Sequence, residues 1–582
     1  RIIGTFPALY PAFEDCEGDI HRAVLERGVK VTGATSYFAD PDGRVGSIIS
    51  QKAVEVLNGG GVAVIPTDTV YGLAANAFDG KAVKKIFEAK GRPQDNPLII
   101  HVPSADWLER YCHDVPETAY ALAEKFWPGP LTMILPRRPI VPLRTTGGLE
   151  TVGVRCPDHP LTLQIIEQAG VPIAAPSGNT SGRPSPTTAA HMAEDMMGKI
   201  DGIVDGGACA VGVESTIIDL TVTPPRLLRP GGLPLEMLVD VLGEVEVDKA
   251  VKHKLADGEK AKAPGMKYRH YAPKAPVTVV TGAGIDSARY IKRHLAEKTG
   301  IICFEEYSGL FEGHIVRSLG RENDKLSHAQ RVFDALRAFD GTDVTEIYAQ
   351  CPDESGLDLA VVNRLKKAAG FHTVEAKSQI VIGLTGGSGA GKTSALRAIE
   401  KMGGCVLDCD AIYHEMLKSN ITLRNDITEA FGDVFNADGT LDRLKLGNVV
   451  FADNTALERL NAIIYACFPG ELTARIDGTD APIIGIDAIN LMESGVDKLC
   501  DFTIAVIAPI ESRVKRIMMR DNISEEYARL RIGAQKNDDF YRTHCTVVLE
   551  NNAQSSEVFE AFAAEELRKM IEIVKAGGYC NE

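Results

Sequence analysis

Residues 383–394, GLTGGSGAGKTS, have the spacing of a phosphate-binding loop, in which Gly386 is followed by Gly391-Lys392-Thr393. An apolar run of strand length, IVIGL, precedes the loop, and the helical pattern TSALRAIEKM follows it. Glycines let backbone N–H groups point at phosphates at the positive end of a helix. Lys392 should reach the β- and γ-phosphates, and Thr393 should hold Mg²⁺. The pattern therefore predicts an ATP site made by Gly389, Ala390, Gly391, Lys392, Thr393 and Ser394.

Two aspartates follow the next predicted strand. The segment CVLDCDAIYHEM reads as a strand and then a helix, with Asp408 and Asp410 at the carboxyl end of the strand. Parallel sheets place their active sites at that end, and a kinase needs a carboxylate that orients or deprotonates the acceptor hydroxyl. In the alternative interpretation, Asp408 only caps the helix.

A second candidate site has no glycine loop. Lys90, Arg92 and Asn96 lie between a helical pattern and the apolar run PLIIHV, so they share one loop. Two cations and an amide on one loop suit a triphosphate, although a solvated loop explains the same residues equally well. His101, near the end of PLIIHV, would on its own more often be a packed core histidine.

The size, charge and cysteines of the chain limit the classes of function. At 582 residues it should divide into three or four domains. Its net charge of −16 argues against binding driven by a nucleic-acid backbone. No apolar run reaches the roughly 18 residues of a membrane helix. The 12 cysteines form no C-x-x-C pair and no secretory start is visible, so we expect reduced thiols and a cytoplasmic location. Because the chain begins with Arg1 rather than Met, we expect that its true beginning is missing.

Composition divides the chain into segments. Residues 246–275 are charged and end in prolines, which is typical of an exposed linker. Strands alternate with helices in 276–376, which predicts a small parallel α/β domain. A polar spacer near 378 precedes the P-loop domain, 379–578. With a further α/β domain at 51–245, the chain is expected to have an α/β multidomain fold.

Further motifs in the C-terminal part carry a family resemblance. Asp438 to Gly447 read D-G-x-L-D-R-x-x-L-G, and Arg531 to Gln535 read R-I-x-x-Q. With the P-loop and the aspartate pair, this order of motifs resembles the dephospho-coenzyme A kinases. The resemblance implies a P-loop kinase with a parallel sheet that uses ATP to phosphorylate a ribose 3′-hydroxyl. It also implies that Asp410 is the catalytic aspartate and that Lys392 acts on the phosphates.

Basic residues crowd the segment before the last of these motifs. They would suit a lid over anionic substrates, and a solvated helix face is the plainer alternative; the residues are Arg513, Lys515, Arg516, Arg520, Arg529 and Arg531. The sequence departs from the kinase family at two places. Ile464-Tyr465-Ala466 replaces the family's T-H-P, and residues 489–493, INLME, replace P-L-L-F-E. Both belong to the acceptor side of the family's cleft, so they bear on the acceptor rather than on ATP.

A second resemblance covers the chain before the P-loop domain. The motifs FWPGPLTMIL, TVGVRCPDHP, IAAPSGNTSGRPSPT, VESTIIDL and RLLRPGG follow the loop that carries Lys90. In this order they resemble the Sua5/YrdC family of threonylcarbamoyl-AMP synthases. The family's K-x-R corresponds to Lys90-Gly91-Arg92, and its S-x-N to Ser177-Gly178-Asn179. The linker and the α/β domain 276–376 match the longer Sua5 form, in which this C-terminal domain is Rossmann-like.

This resemblance implies a reaction and its residues. L-Threonine, bicarbonate and ATP would give threonylcarbamoyl-AMP and diphosphate, which serve the threonylcarbamoyl modification of adenosine 37 in tRNA. The implied partner is the downstream tRNA threonylcarbamoyl transferase complex. The residues implied for catalysis and ATP binding are Lys90, Arg92, Asn96, Thr151, Asn179 and Arg229, with Tyr268 or Tyr271 closing over the site. Those implied for threonine are Thr69, His101, Arg155, Ser177 and Ser215.

The first 50 residues carry a weaker resemblance. RIIGTFPALYPAF and VTGATSYFADPDGRVGSII resemble the C-terminal piece of a glycinamide ribonucleotide formyltransferase domain. Its three catalytic positions are Gly4, Phe6 and Arg44 here, so the resemblance implies an inactive remnant.

The leading hypothesis is a bifunctional enzyme that joins a threonylcarbamoyl-AMP synthase to a dephospho-coenzyme A kinase. In one alternative, the kinase part is a degenerate nucleotide-binding domain with a regulatory role. In another, the chain binds tRNA directly, which predicts a basic surface stripe.

Overall fold

The computed structural model describes residues 2–4, 47–253, 263–264, 270–436, 440–450 and 453–578. The chain divides into two compact units, Arg1–Gly284 with Ala296–Glu375, and Ile285–Leu295 with Ala376–Glu582. The change of unit after Glu375 lies near the boundary expected at the polar spacer. Most of the formyltransferase-like segment lies outside the described residues, as do Tyr268 and Asp438, so the roles expected for them remain predictions.

A mixed sheet of eleven strands forms the N-terminal part of the first unit. Parallel and antiparallel neighbours occur in the same sheet. For example, the strand Leu131–Pro136 is parallel to Thr216–Asp219 and antiparallel to Thr151–Arg155. The sheet order is β1 (Ile2–Gly4), β8 (Gly202–Asp205), β2 (Ala63–Ile65), β3 (Gly72–Asn76), β7 (Ile173–Ala174), β4 (Ile99–His101), β6 (Thr151–Arg155), β5 (Leu131–Pro136), β9 (Thr216–Asp219), β10 (Arg226–Arg229) and β11 (Glu246–Val247).

Helices flank this sheet, and one of them positions the basic loop. Helix Gly80–Lys90 begins at Asp79, whose carboxylate accepts hydrogen bonds from two backbone N–H groups. It ends at Gly91, which has φ 62° and so turns the chain directly before Arg92. The other helices are Ser47–Asn58, Leu108–Tyr111, Glu117–Phe126, Pro160–Ala169, Ala189–Met196, Leu235–Leu242 and Lys249–Lys252, with a 3₁₀ turn at Ala105–Trp107.

The rest of the first unit is a five-stranded parallel sheet. Its order is β14 (Ile315–Ser318), β13 (Thr299–Cys303), β15 (Glu346–Gln350), β12 (Val277–Thr281) and β16 (Thr373–Glu375). Helices Lys325–Arg337 and Asp358–Ala368 and the 3₁₀ segment Glu305–Phe311 connect these strands. The small parallel α/β domain expected from the sequence is therefore confirmed.

The second unit contains another five-stranded parallel sheet. Its order is β18 (Cys405–Asp408), β19 (Ile483–Asp487), β17 (Ile380–Thr385), β20 (Phe502–Ile507) and β21 (Val547–Glu550). The helices are Gly284–Arg293, Lys392–Lys401, Cys409–Ser419, Ile421–Phe431, Arg443–Val450, Asn454–Gly478, Ile510–Asp521, Glu525–Gly533, Asp538–His544 and Ser556–Lys575, with a 3₁₀ turn at Val496–Leu499. None of the helices described in either unit is long and apolar enough to cross a membrane.

One helix of the second unit comes from inside the segment expected to form the small α/β domain. Residues Ile285–Leu295 belong to the second unit, although the sequence placed them in 276–376. This helix makes buried contacts with the second unit, in which Nε of Arg289 lies 3.0 Å from Oδ1 of Asp501. The same guanidinium donates from Nη2 to the carbonyl oxygen of Val574 at 2.7 Å. No local pattern indicates this pairing, because the partners lie far apart along the chain.

Candidate active sites

One cavity in the first unit gathers most of the residues implied for a synthase. Glu214 and His270 line it too, and neither was singled out from the sequence. The implied residues in its wall are Thr69, Arg92, His101, Arg155, Ser177, Ser215, Arg229 and Tyr271. They come from seven strands or loops of the large-sheet domain and from the linker, so the cavity exists only in the folded chain.

Arg155 organises one wall of the cavity. Its Nη1 atom donates to Oγ1 of Thr69 at 2.7 Å, and its Nη2 atom pairs with Asp68. Its Nε atom donates to the carbonyl oxygen of Gly129 at 3.1 Å. Because all three groups are buried and paired, the guanidinium has a fixed orientation.

His101 lies next to Arg155, on the neighbouring parallel strand, with the two residues in register. Burial, reinforced by the positive charge of Arg155, lowers the pKa of His101 to about 3. The imidazole is therefore neutral near pH 7 and can donate or accept a hydrogen bond without adding charge.

Arg92 and Arg229 supply positive charge to the cavity. Arg229 donates from Nε and Nη2 to the carbonyl oxygen of Ser215, at 3.1 and 2.9 Å. Arg92 donates from Nη2 to the carbonyl oxygen of Pro97 at 3.0 Å. Its Nε atom is buried with no hydrogen-bond partner among the described residues. Burial lowers the pKa of each guanidinium to about 10, which still leaves both charged at neutral pH.

Lys90 lies beneath the loop that carries Ser177 and Asn179 and is not among the residues of the cavity wall. Its Nζ atom donates to the carbonyl oxygen of Ser177 and, at 2.5 Å, to that of Asn179. Burial, followed by the charge of Arg92, lowers its pKa well below the ordinary value. The Asn179 side chain is also engaged within the loop, because Oδ1 accepts from Oγ of Ser177 at 2.7 Å and Nδ2 donates to the Arg183 carbonyl at 2.8 Å. Lys90 and Asn179 therefore hold the loop around residues 177–183 in shape in this structure.

Two further predicted ATP residues lie away from the cavity wall. Thr151 begins strand β6, four positions before Arg155, which corresponds to about 13 Å along a strand. Asn96 lies on the basic loop, and its Oδ1 atom is buried without a hydrogen-bond partner among the described residues. Neither side chain is among the residues that line the cavity.

Tyr271, at the end of the linker, closes part of the cavity. It is buried and has φ 66°, a conformation that costs a non-glycine residue energy unless its surroundings fix it. Its ring centroid lies 5.2 Å from that of Phe333. His270 beside it has a pKa lowered by burial to about 3, so it is also neutral near pH 7.

The P-loop of the second unit has the predicted geometry. It connects β17 to helix Lys392–Lys401, and Gly386, Gly389 and Gly391 all have positive φ. A Cβ atom at Gly386 would lie 2.2 Å from the carbonyl oxygen of Val506, and one at Gly391 would lie 2.3 Å from Nδ2 of Asn551. Glycine is thus required at both positions by conformation and by space.

Charged side chains meet at the edge of the sheet beside this loop. Nζ of Lys392 lies 2.7 Å from Oδ1 of Asp487, which ends β19. Asp408 is in register with Asp487 on the adjacent strand, so the aspartate pair ends at the same edge. Oδ1 of Asp408 accepts hydrogen bonds from the N–H groups of Asp410 and Ala411, at 2.9 and 3.1 Å. Asp408 therefore caps the helix, and Asp410 is exposed in the first helical turn.

Only part of the basic stretch acts on the P-loop. Nε of Arg513 donates to the carbonyl oxygen of Ser388 at 3.0 Å, and Nη1 of Arg516 donates to that of Gly389 at 3.1 Å. Gln535 accepts from the N–H of Ser388 at 2.9 Å. Arg520, Arg529 and Arg531 instead form exposed ion pairs with neighbouring carboxylates. The solvated-face alternative thus applies to these three arginines.

The two segments that depart from the kinase pattern contact each other. Nδ2 of Asn490 donates to the hydroxyl of Tyr465 at 3.3 Å. Oγ1 of Thr385, the last residue of β17, donates to the carbonyl oxygen of Ile489 at 3.0 Å. The altered segments therefore form one continuous region that reaches the start of the P-loop.

The P-loop edge offers oxygen ligands of the kind that Mg²⁺ prefers. Thr393 is exposed at the start of its helix, and the carboxylates of Asp408 and Asp487 end adjacent strands. No group of three or more His, Cys, Asp or Glu side chains arranged to hold a metal exists among the described residues.

Comparisons with known proteins agree with this division into two sites. Three family models match: one described as Telomere recombination over residues 55–231, one described as Threonylcarbamoyl-AMP synthase, C-terminal domain, over 233–370, and one described as Dephospho-CoA kinase over 380–557. The chain is 52% identical over 322 residues to a threonylcarbamoyl-AMP synthase of Pyrococcus abyssi. The aligned region covers 54% of this chain and 92% of that relative. The chain is also 34% identical over 195 residues to a dephospho-CoA kinase of Thermobifida fusca. This second aligned region covers 33% of this chain and 97% of that relative. The crystal structure of P. abyssi Sua5 complexed with L-threonine matches with 48% identity and a TM-score of 0.55, over 57% of this chain and 97% of that chain.

Proposed function

The chain belongs to the threonylcarbamoyl-AMP synthase family in its N-terminal part and to the dephospho-CoA kinase family in its C-terminal part, and we propose that it catalyses both reactions. The observation that carries this proposal is the presence of two differently built anion sites. One is a cavity lined by Arg92, Arg155 and Arg229, and the other is a P-loop with Lys392.

For the synthase reaction, we propose that the cavity holds threonine and ATP together. Thr69 and Arg155 would bind threonine and its carboxylate, and Arg92 and Arg229 would bind the phosphates. Bicarbonate breaks its bond to hydroxide and gives CO₂, the threonine nitrogen bonds to the CO₂ carbon, and the proton that the nitrogen loses joins the hydroxide as water, which leaves a carbamate. A carbamate oxygen then bonds to the α-phosphorus as the bond to diphosphate breaks. No side-chain nucleophile is needed, because the site has only to place two anions together and neutralise them.

The neutral imidazole of His101 constrains its role. With a pKa lowered to about 3, it cannot neutralise the carboxylate of threonine at pH 7. It can orient threonine through a hydrogen bond, while Arg155 supplies the charge. Lys90 would act through the loop that it holds, since its Nζ atom bonds the carbonyls of Ser177 and Asn179.

For the kinase reaction, we propose that the P-loop binds ATP and that Asp410 receives the proton of the acceptor hydroxyl. The 3′-oxygen of dephospho-coenzyme A bonds to the γ-phosphorus, the bond to ADP breaks, and Lys392 stabilises the phosphate oxygens. Thr393 would hold Mg²⁺, which when bound neutralises part of the phosphate charge. Arg513, Arg516 and Gln535 hold the P-loop backbone in shape for this role.

The synthase product suits a downstream tRNA threonylcarbamoyl transferase complex as its consumer, and we propose that complex as a partner. We also propose a cytoplasmic location, because all ten cysteines in the described residues are free thiols, as is typical of a reducing compartment.

A regulatory role for the kinase part is the second candidate function. It is favoured by one observation, the contact between Tyr465 and Asn490 in segments that depart from the family pattern. A domain that binds ATP without turning over dephospho-coenzyme A would keep the P-loop and lose the acceptor side.

Product analysis tests both proposals on the full chain. The protein is incubated with ATP and Mg²⁺, and then with either threonine and bicarbonate or dephospho-coenzyme A. We expect diphosphate only with threonine and bicarbonate, and ADP only with dephospho-coenzyme A. ATP binding without ADP formation would favour the regulatory role, and a lack of diphosphate would contradict the synthase proposal.

A further inference from the structure

The guanidinium of Arg364 is buried beside the synthase cavity, although it belongs to the small α/β domain. It lies on helix Asp358–Ala368, and its side chain is 0% exposed. Arginine is almost never fully buried unless partners take up its charge and its N–H groups. No sequence motif pointed to this residue, so its partners define its role.

Arg364 contacts two residues of the cavity wall. Nε donates to Oε2 of Glu214 at 2.9 Å, and the guanidinium carbon lies 5.5 Å from the ring centroid of Tyr271. Nη1 donates to the carbonyl oxygen of Pro230 at 2.8 Å. One side chain of the C-terminal domain thus holds a carboxylate on the sheet and an aromatic ring on the linker, both of which line the cavity.

Further contacts link Glu214, which Arg364 holds, to Arg229 in the cavity wall. Oε1 of Glu214 accepts a hydrogen bond from Oγ of Ser185 at 2.5 Å, so both carboxylate oxygens are engaged. The next residue, Ser215, offers its carbonyl oxygen to Nε and Nη2 of Arg229. Burial alone would raise the pKa of Glu214, but the charges of Arg364 and Arg229 outweigh it and lower the pKa to about 2. The carboxylate is therefore ionised wherever the synthase is expected to work.

We propose that Arg364 is a positioning residue for the synthase reaction, which fixes Glu214 and Tyr271 so that Arg229 faces the phosphates of ATP. The proposal rests on the proposed synthase function. It gives the C-terminal α/β domain a role in nucleotide affinity, because without Arg364 the Glu214 carboxylate would be left charged next to Arg229 alone and would draw that guanidinium towards itself. Ser215, which is implied for threonine, takes part in these contacts mainly through its backbone carbonyl. Thr69 and Arg155 form no hydrogen bond with Arg364, Glu214 or Arg229 in the described part of the chain, so we expect threonine binding to depend on Arg364 less than ATP binding does.

Arg337 provides a matched control in the same domain. It is also buried and also reaches the large-sheet domain, where Nη2 lies 2.9 Å from Oδ2 of Asp195. Neither Arg337 nor Asp195 lines the cavity. Asp195 also accepts a hydrogen bond from the N–H of Thr180, next to Asn179, but it keeps this bond and its ion pair with Arg183 when Arg337 is replaced. Comparing Arg364→Met with Arg337→Met therefore separates a loss of positioning from the loss of one buried arginine.

The test is steady-state diphosphate formation by the full chain. For Arg364→Met we expect the KM for ATP to rise on the order of tenfold or more, and the KM for threonine to change by less than about threefold. Arg364→Lys should fall between wild type and Arg364→Met, because a lysine can pair with Glu214 but cannot also reach the Pro230 carbonyl. Arg337→Met should leave the KM for ATP within about twofold of wild type.

Folding is checked by tryptophan fluorescence, since the only tryptophans, Trp107 and Trp127, lie in the synthase part. If Arg364→Met does not fold, the double variant Arg364→Met with Glu214→Gln removes the stranded charge, and it should fold with a KM for ATP that is still raised. An unchanged KM for ATP in a folded Arg364 variant, or the same change in Arg337→Met, would overturn the proposal. If wild type itself forms no diphosphate, it is the synthase proposal that fails.

Discussion

The ammonium group of Lys392 and the carboxylate of Asp487 form an ion pair of 2.7 Å at the edge where the P-loop leaves the sheet. The lysine comes from the helix after β17, and the aspartate ends β19, the neighbouring parallel strand. A phosphate oxygen would compete with Asp487 for the same ammonium group. The pair therefore sets the position of the Lys392 side chain before ATP binds. When Lys392 moves to a phosphate, the carboxylate of Asp487 becomes free.

This pair predicts the behaviour of Asp487→Asn. We expect kcat/KM for ADP formation to fall on the order of tenfold, because Lys392 loses its charged partner and the site loses a carboxylate that suits Mg²⁺. Steady-state kinetics at several Mg²⁺ concentrations measure the effect. Asp480→Asn makes the same chemical change at an exposed ion pair with Lys377 and should leave the rate unchanged. Equal effects of the two substitutions would contradict the prediction.

Replacing Gly386 of the P-loop should cost more stability than replacing a glycine that has a positive φ but open space around its Cβ position. In Gly386→Ala the new methyl group meets the carbonyl oxygen of Val506, and the residue has φ 134°. We expect this variant to lose about 2 kcal/mol or more of stability. Gly403→Ala, with φ 81° and open space around its Cβ position, should lose only about 1 kcal/mol. Thermal inactivation of ADP formation compares the two, and equal losses would show that the clash at Gly386 is relieved.

Loss of the contact between Tyr465 and Asn490 should change the KM for dephospho-coenzyme A and leave the KM for ATP unchanged. Tyr465→Phe removes a hydrogen bond of 3.3 Å, which corresponds to about 1 kcal/mol. If the altered segments bind dephospho-coenzyme A, its KM should rise about fivefold while the KM for ATP stays the same. An equal rise in both constants would mean that the pair supports the P-loop instead.

His101 should make the synthase part sensitive to mild acid. Its pKa is about 3 in the folded chain and ordinary in the unfolded chain, so between these values the unfolded state binds the extra proton. Stability that is complete above about pH 6.5 is therefore lost as the pH falls, by up to about 1.4 kcal/mol per pH unit for this group.

Denaturant unfolding followed by the fluorescence of Trp107 and Trp127 measures this slope between pH 7 and pH 4. In His101→Gln the slope should be shallower by that amount. Part of the slope should remain, because burial lowers the pKa of His270 in the same direction. An unchanged slope in the variant would show that His101 is protonated in the folded protein.

The sequence was sufficient for features with local signatures. The P-loop and the two parallel sheets follow from patterns whose residues lie close together in the chain. The resemblance to the synthase family implied that Thr69, Arg155 and Ser215 share a site, and all three line the cavity. Asp487 was missed because it is one aspartate in an apolar strand, and only the pairing of β17 with β19 brings it to Lys392.

Other features depend on contacts between distant segments and had no local signature. Arg364 and Glu214 are 150 positions apart, and although Glu214 lies in the motif VESTIIDL, nothing in the sequence links it to Arg364. The grouping of Ile285–Leu295 with the second unit involves buried contacts such as the pair Arg289–Asp501. For Thr151 and Lys90 the resemblance implied ATP contacts, whereas the structure places one at the far end of its strand and the other beneath a loop. Those two roles stay predictions.

The central claim is that one chain holds two independent ATP sites, and reciprocal substitutions test it most directly. Diphosphate formation and ADP formation are both measured on Lys392→Ala and on Arg92→Met in the full chain. We predict that Lys392→Ala loses ADP formation by about 100-fold or more and keeps diphosphate formation, and that Arg92→Met does the reverse. Loss of both activities in either folded variant would contradict the account.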